Sequence, residues 1–280
     1  EAGRICGTIG GGSLEYNVIL QGQEQIARQK NFIYEYTLTM EGSAELGMIC
    51  GGTCTILYQY LFADDLPLVQ EVLGVIASKE QYWLLLPVLE GKLQILQGAS
   101  EIQGNGLIEI DGTQYYAERF NFDGKVYIFG GGHLAQEVVP VLSHLGFRCV
   151  VLDDREEFSK PELFTGAEEV LCVDFKDLAN AVQITENDYV AVMTRGHLHD
   201  TDVERFVLKT PAHYIGVVGS RRKAKLTRET LRGEGFSDEQ LDRIITPIGL
   251  DIGSETPAEI AISIAAQFIQ VRANRLVNMR

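Results

Sequence analysis

Residues 126–135, VYIFGGGHLA, decide how this chain is read. A run of β-branched and aromatic residues at 126–130 enters Gly130-Gly131-Gly132-His133-Leu134-Ala135, a G-x-G-x-x-A pattern. A helix-compatible stretch over 134–145 follows. Glycines in those places permit a tight turn and let backbone N–H groups approach a phosphate at the start of a helix. Asp153 ends the next strand-like run, about 20 residues beyond Gly132, where an acid that holds a ribose belongs. The pattern predicts a phosphate-bearing ligand at Gly130, Gly132, His133 and Ala135, with Asp153 on its sugar. The Asp153-Asp154 pair opposes a 2′-phosphate, so NAD fits such a turn better than NADP.

The same rhythm continues on either side. CVVLD (149–153), EVLCVD (169–174), YVAVMT (189–194) and YIGVVGS (214–220) are short, nearly continuous apolar runs with helix-compatible stretches such as 134–145 and 200–209 between most of them. Strands of that kind are covered on both faces, which predicts a Rossmann-like, doubly wound parallel sheet over 125–280. Ser237 with Gln240 reads as a capping box, and Thr256-Pro257-Ala258-Glu259 as another helix start. Behind the latter, Ile260, Ile264, Phe268 and Val271 form a helical stripe expected in the core. Residues 1–110 mix strand-like runs (31–40, 54–61, 92–97) with a predicted helix over 66–78, an α+β pattern for a smaller domain. Turn signals gather over 97–124, and 111–124 reads as a linker.

Composition sets the outer limits. The 280 residues carry 39 acids and 24 bases, a net charge of −15, which argues against nucleic acid or an anionic membrane surface as partner. The densest apolar run, 82–89, is far short of the ~20 residues that span a bilayer. Acid excess is concentrated in 1–124, with 16 acids against 6 bases, whereas 221–232 holds six bases and one acid. Bases at a helix start oppose the macrodipole, so Ser220, Arg221 and Arg222 form a second candidate anion site; a solvated basic helix is the alternative. Five cysteines with no C-x-x-C pair fit free thiols in a reducing compartment, and a cytoplasmic location is expected. The opening ICGTIGGG reads like the middle of a domain, so an upstream piece is expected.

Three further segments could carry chemistry. Residues 194–200, TRGHLHD, follow the fourth strand-like run and offer Arg195 and His197 as polar ligand contacts. A metal site on His197 and His199, serving a hydrolase, is an alternative reading. Gly10-Gly11-Gly12-Ser13-Leu14-Glu15 is a glycine loop before a predicted helix. Cys50-Gly51-Gly52 sets a thiol beside open backbone, which suits a soft metal or sulfur chemistry unless the cysteine is an inert small hydrophobe. Cys6, Cys54, Cys149 and Cys172 read as packing residues.

Taken together, GTIGGGSLE (7–15), CGG (50–52), FGGGHLAQ (129–136), LGFRCVVLDDR (145–155), MTRGHLHD (193–200), YIGVVGSRRK (214–223) and TPIGLDIGSETPAEIAISIAAQ (246–267) resemble the XdhC/CoxI family of xanthine dehydrogenase accessory factors. The resemblance implies an accessory protein that binds the molybdenum cofactor (molybdopterin), holds it for sulfuration by a cysteine desulfurase, and passes it to the apoenzyme of a xanthine-dehydrogenase-type molybdenum hydroxylase; without a complete acid/base set the residues read as non-catalytic or weakly catalytic. It assigns to cofactor binding Gly10, Gly11, Gly12, Glu15, Cys50, Gly51, Gly52, Gly130, Gly132, His133, Ala135, Asp153, Arg195, His197, Ser220, Arg221, Arg222 and Asp251, with Cys50 on the molybdenum. The chain departs from the family at Arg195, where a histidine is common, which weakens a histidine-pair metal site. An NAD-dependent oxidoreductase using the same turn is the alternative function, and a homodimer is the default assembly.

Overall fold

In a computed structural model the described residues are 6–38, 52–76, 82–98, 102, 104–120, 124–195 and 197–277. The chain divides into two compact units, residues 1–121 and 122–280.

The first unit opens with helix α1 (Gly12–Arg28), followed by strands β1 (Phe32–Leu38) and β2 (Gly52–Tyr58), which pair antiparallel. After α2 (Leu66–Ile76) come β3 (Tyr82–Pro87), β4 (Gln94–Gln97), β5 (Gly106–Ile110) and β6 (Thr113–Phe120). These four form an antiparallel sheet in the order β4-β3-β6-β5. Alternation along β3 sends Trp83, Leu85 and Pro87 inward, and a small core of Trp83, Leu85, Tyr115 and Ala117 results. The unit is therefore α+β with antiparallel sheets, as its sequence predicts.

Residues 111–124 do not form a linker throughout. Thr113–Phe120 is a strand, and Asp111-Gly112 is the tip of the β5–β6 hairpin, with φ of 50° and 76°. Positive φ at both central positions is what a two-residue hairpin turn needs, and Asp-Gly supplies it. The turn signal was real, but it joins two paired strands and does not separate domains.

The second unit is one six-stranded sheet ordered β12-β11-β10-β7-β8-β9. Its strands are β7 (Lys125–Phe129), β8 (Arg148–Asp153), β9 (Glu169–Cys172), β10 (Tyr189–Val192), β11 (Tyr214–Val217) and β12 (Ile244–Ile245), and every neighbouring pair is parallel. Around it lie α3 (His133–His144), α4 (Leu178–Ala181), α5 (His197–Val207), α6 (Arg221–Gly233), α7 (Asp238–Leu241) and α8 (Pro257–Val277). Period-2 alternation feeds two cores. Val126 and Ile128 join Val138, Leu142, Ile264 and Phe268 on one face, with Ile260 and Val271 at the margin. Tyr127 and Phe129 join Leu152, Val192, Val203, Val207 and Leu231 on the other. Both faces are thus covered, and the stripe on α8 lies in the core. Cys149 is buried, but Cys6 and Cys172 are exposed and do not pack. Cys172 is the last residue of β9, the edge strand.

Candidate functional site

Strand order reverses between β7 and β10, and the chain leaves those two strands in opposite directions. In open parallel sheets a crevice forms at such a point, outside the carboxyl ends of the strands. The glycine turn lies there. Gly130 donates its N–H to the Leu152 carbonyl at 2.7 Å and has φ of 108°. A Cβ on Gly130 would stand 2.4 Å from the Met193 carbonyl oxygen, and one on Gly131 would stand 2.3 Å from that of Phe158. Gly132 is different: a Cβ there would have nothing within 4 Å. The first two glycines are demanded by neighbouring backbone, whereas the third opens onto empty space.

Asp153 organises this turn. Its carboxylate is 1% exposed and accepts the Gly131 N–H at 2.7 Å, the Arg155 N–H at 3.0 Å, and two guanidinium N–H groups of Arg155 at 2.8 and 2.9 Å. Burial alone would raise the carboxyl pKa, but the bonds from Arg155 and Gly131 outweigh it and hold the group below its ordinary value. Four accepted bonds fill the lone-pair positions of a carboxylate. The residue expected on a ribose therefore holds the loop itself, and a ribose diol would have to displace Arg155.

Helix α3 starts at Gly132, which has no side chain to cap it. Three other helices of this unit are capped by hydroxyls: Ser220 accepts the Lys223 N–H for α6, Ser237 forms the predicted box with Gln240, and Thr256 accepts from Glu259 N–H. Uncapped N–H groups at an open glycine make α3 the natural anion seat of the sheet edge. His133 is exposed beside it, and Ala135 is buried in the core. Ser220 fits the plainer reading of a helix cap, with Arg221 and Arg222 exposed beyond it.

The loop after β10 carries a network the sequence reading missed. Asp200, 1% exposed, accepts from the Thr194 N–H at 3.1 Å and from the Thr194 hydroxyl, and it pairs with the Lys223 ammonium. One turn on, Glu204 is 5% exposed. Burial pushes its carboxyl up to about 7, the Asp200 charge adds to that, and Lys223 opposes it. Carboxylates at i and i+4 on one face of a helix that follows a strand were the available signal. Arg195 is exposed, His197 begins α5, and His199 Nδ1 lies 3.8 Å from the Asp154 carboxylate. Among the described residues no group of three or more histidine, cysteine or acidic side chains could hold a metal ion.

A carboxyl whose folded pKa lies above its unfolded value withdraws stability as pH rises from the unfolded pKa through the folded one. For Glu204 that window runs from 4.5 to about 7. Glu204→Gln is therefore expected to match the native protein near pH 4.5 and to exceed it by about 3 kcal/mol at pH 8. Denaturant unfolding at both pH values measures this, and an equal difference at the two would refute the assignment.

In the other unit, Glu15 folds the glycine loop onto the start of α1. It accepts from the Thr8 hydroxyl, from Ile9 N–H at 3.2 Å and from Gly11 N–H at 3.3 Å. Gly10, Gly11 and Gly12 all have positive φ. Gly52 opens β2, while Cys50 and Gly51 lie outside the described residues. Asp251 is exposed in the loop before α8.

The second unit is thus a Rossmann-like module with its glycine turn at the crossover of the sheet. Residues 126–268 match the XdhC Rossmann domain, and the chain belongs to the XdhC family. It is 24% identical over 273 residues to the uncharacterized protein YqeB of Escherichia coli (strain K12), covering 97% of this chain and 39% of that protein. It is 28% identical over 160 residues to a probable xanthine dehydrogenase subunit of Bacillus subtilis (strain 168), covering 57% of this chain and 46% of that protein. The chain thus spans less than half the length of either relative. A crystal structure described as a xanthine dehydrogenase from Bacillus halodurans shares the fold, with a TM-score of 0.77 at 23% identity, over 96% of this chain and 83% of that one. Among the described residues no helix is long and apolar enough to cross a membrane.

Proposed function

We propose that this protein binds the molybdenum cofactor, holds it for sulfuration by a cysteine desulfurase, and delivers it to a xanthine-dehydrogenase-type molybdenum hydroxylase. The observation that carries this reading is the uncapped start of α3 at Gly132, open on the ligand side of the sheet edge. A phosphate fits that seat: backbone N–H groups of the first turn would bind it, and the helix dipole favours its charge. Gly130 and Asp153 would keep the turn in shape, with His133 and Arg195 at its rim. Cys50, on the ground of resemblance, would contact the metal. When bound, the cofactor supplies the molybdenum centre that receives sulfur. The chain's part is to bind, orient and shield it.

The test is to purify the protein without oxygen from a host that makes molybdopterin and to assay released pterin fluorescence. Pterin near one equivalent is expected; none would sink the proposal. Gly132→Ala is expected to fold normally, within about 0.5 kcal/mol of native stability, because its Cβ meets no atom within 4 Å. It should nevertheless retain at least about tenfold less pterin, since a methyl there blocks close approach of a phosphate. Cys50→Ala should weaken retention of the metal-loaded cofactor more than that of metal-free molybdopterin.

The glycine turn would also serve NAD, and calorimetric titration separates the two readings. The full set of bonds on Asp153 favours the molybdenum cofactor, because no carboxylate oxygen is free for a ribose diol.

A further inference from the structure

A cavity of about 200 Å³ lies beneath α6, apart from the glycine turn. Its apolar wall is Val217, Leu231, Leu241 and Ile244, and Glu204, Gly219, Lys223 and Thr246 supply its polar atoms. One of those atoms lacks a partner. The Thr246 hydroxyl oxygen is buried and has no hydrogen-bond partner among the described residues. Glu204 is 5% exposed, its carboxyl lines the cavity, and the Lys223 charge acts on it. Buried polar groups without partners are rare in folded proteins, and each calls for an unseen partner or a functional cause.

The lining narrows the chemistry of the occupant. The volume is several times the ~30 Å³ share of one water, and it falls below the ~300–1,000 Å³ of sites that enclose drug-sized ligands. A single ring system fits, and a whole dinucleotide does not. Lys223, Lys225 and Arg228 also line the cavity and disfavour a cation. The buried Glu204 disfavours an anion at depth. A flat, neutral ring that donates to a carboxylate and also bonds a hydroxyl meets all of these conditions.

We propose that this cavity binds the 2-amino-4-oxopyrimidine edge of a pterin or guanine ring, with Glu204 accepting its adjacent N–H pair and Thr246 bonding its ring heteroatoms. For the pterin, the assignment rests on the proposed cofactor reading and deepens it by separating a ring pocket from the phosphate seat at Gly132. None of the turn residues 130–133 lines this cavity.

The experiment is titration of the full chain with pterin, with lumazine (a 2-oxo analogue lacking the amino group) and with guanosine, followed by fluorescence and calorimetry. Pterin is expected to bind, with lumazine at least about tenfold weaker. Glu204→Gln should weaken pterin by a similar factor, because its amide turns a donor toward the ring N–H pair. Ala224→Leu, which fills the cavity from α6, should abolish binding while leaving the melting transition intact. Guanosine binding tighter than pterin would keep the site and name guanine as its source. Equal binding of pterin and lumazine, or binding indifferent to both variants, would overturn the assignment. Molybdopterin retention is measured in the same variants. If retention survives while pterin binding is lost, the molybdenum cofactor does not use this pocket, yet the cofactor reading stands. If native protein retains no molybdopterin but binds pterin through Glu204, the pocket stands and the cofactor reading falls.

Discussion

Arg155→Ala is expected to lower stability by about 3–5 kcal/mol at pH 7, the range found when one partner of a buried ion pair is removed. The size follows from which charge is left behind. Asp153 is 1% exposed, and two of its four hydrogen bonds come from the Arg155 guanidinium. Without them a carboxylate stays buried with only backbone donors. Arg155 also stacks on Phe158, its Cζ 3.9 Å from the ring centroid, and the Phe158 carbonyl lies where a Cβ on Gly131 would stand. Losing Arg155 thus loosens both supports of the glycine turn. Because the folded-state pKa of Asp153 is depressed, its contribution is present above the unfolded pKa and is lost as pH falls through the folded one. The difference between native and variant proteins should therefore shrink toward acid. Urea unfolding at pH 7 and below pH 4 measures this, and a difference that stays constant would show that the pair is not the cause. Adding Asp153→Asn should recover part of the loss, since it removes the stranded charge.

Gly130→Ala is expected to be of similar size, about 3–5 kcal/mol, for a wholly steric reason. Its φ of 108° is one that L side chains rarely adopt, and the new methyl would stand 2.4 Å from the Met193 carbonyl oxygen. The obstacle is backbone of the neighbouring central strand's exit, which cannot yield without opening the sheet between β7 and β10. Hydrogen exchange should show protection lost first along those two strands. A variant that melts like the native protein would mean that the turn is not held at this φ. The contrast with Gly132→Ala separates two glycines of one motif: the first allows the fold, and the other opens onto empty space, where the proposed phosphate would bind.

Strand periods and turn glycines are local properties, and they made most of the second unit legible in advance. Nearly continuous apolar runs pointed to a sheet covered on both faces, and the stripe of Ile260, Ile264, Phe268 and Val271 to a core helix. The Asp111-Gly112 signal was also local, but whether a turn ends a domain or joins a hairpin depends on the pairing of the strands around it. Asp153 was placed correctly at a strand end, yet its partner Arg155 is two residues away and turns back on it. That turn depends on the loop packing over Gly131, which spacing does not record.

By itself, the sequence determined the alternation of strands and helices, the phosphate-type turn at Gly130–Gly132 and the family to which the chain belongs. The first two follow from short-range periodicity and from residue types at fixed offsets, and the third from the resemblance of several separated motifs. Tertiary structure decided what the buried charges do. Asp153 is taken up by Arg155, Asp200 by Thr194 and Lys223, and Glu204 is left facing a cavity with Thr246. Lys223 and Thr246 lie far along the chain from Asp200 and Glu204 and meet them only when β10, β11 and α6 assemble, and burial then makes a hydroxyl without a partner informative.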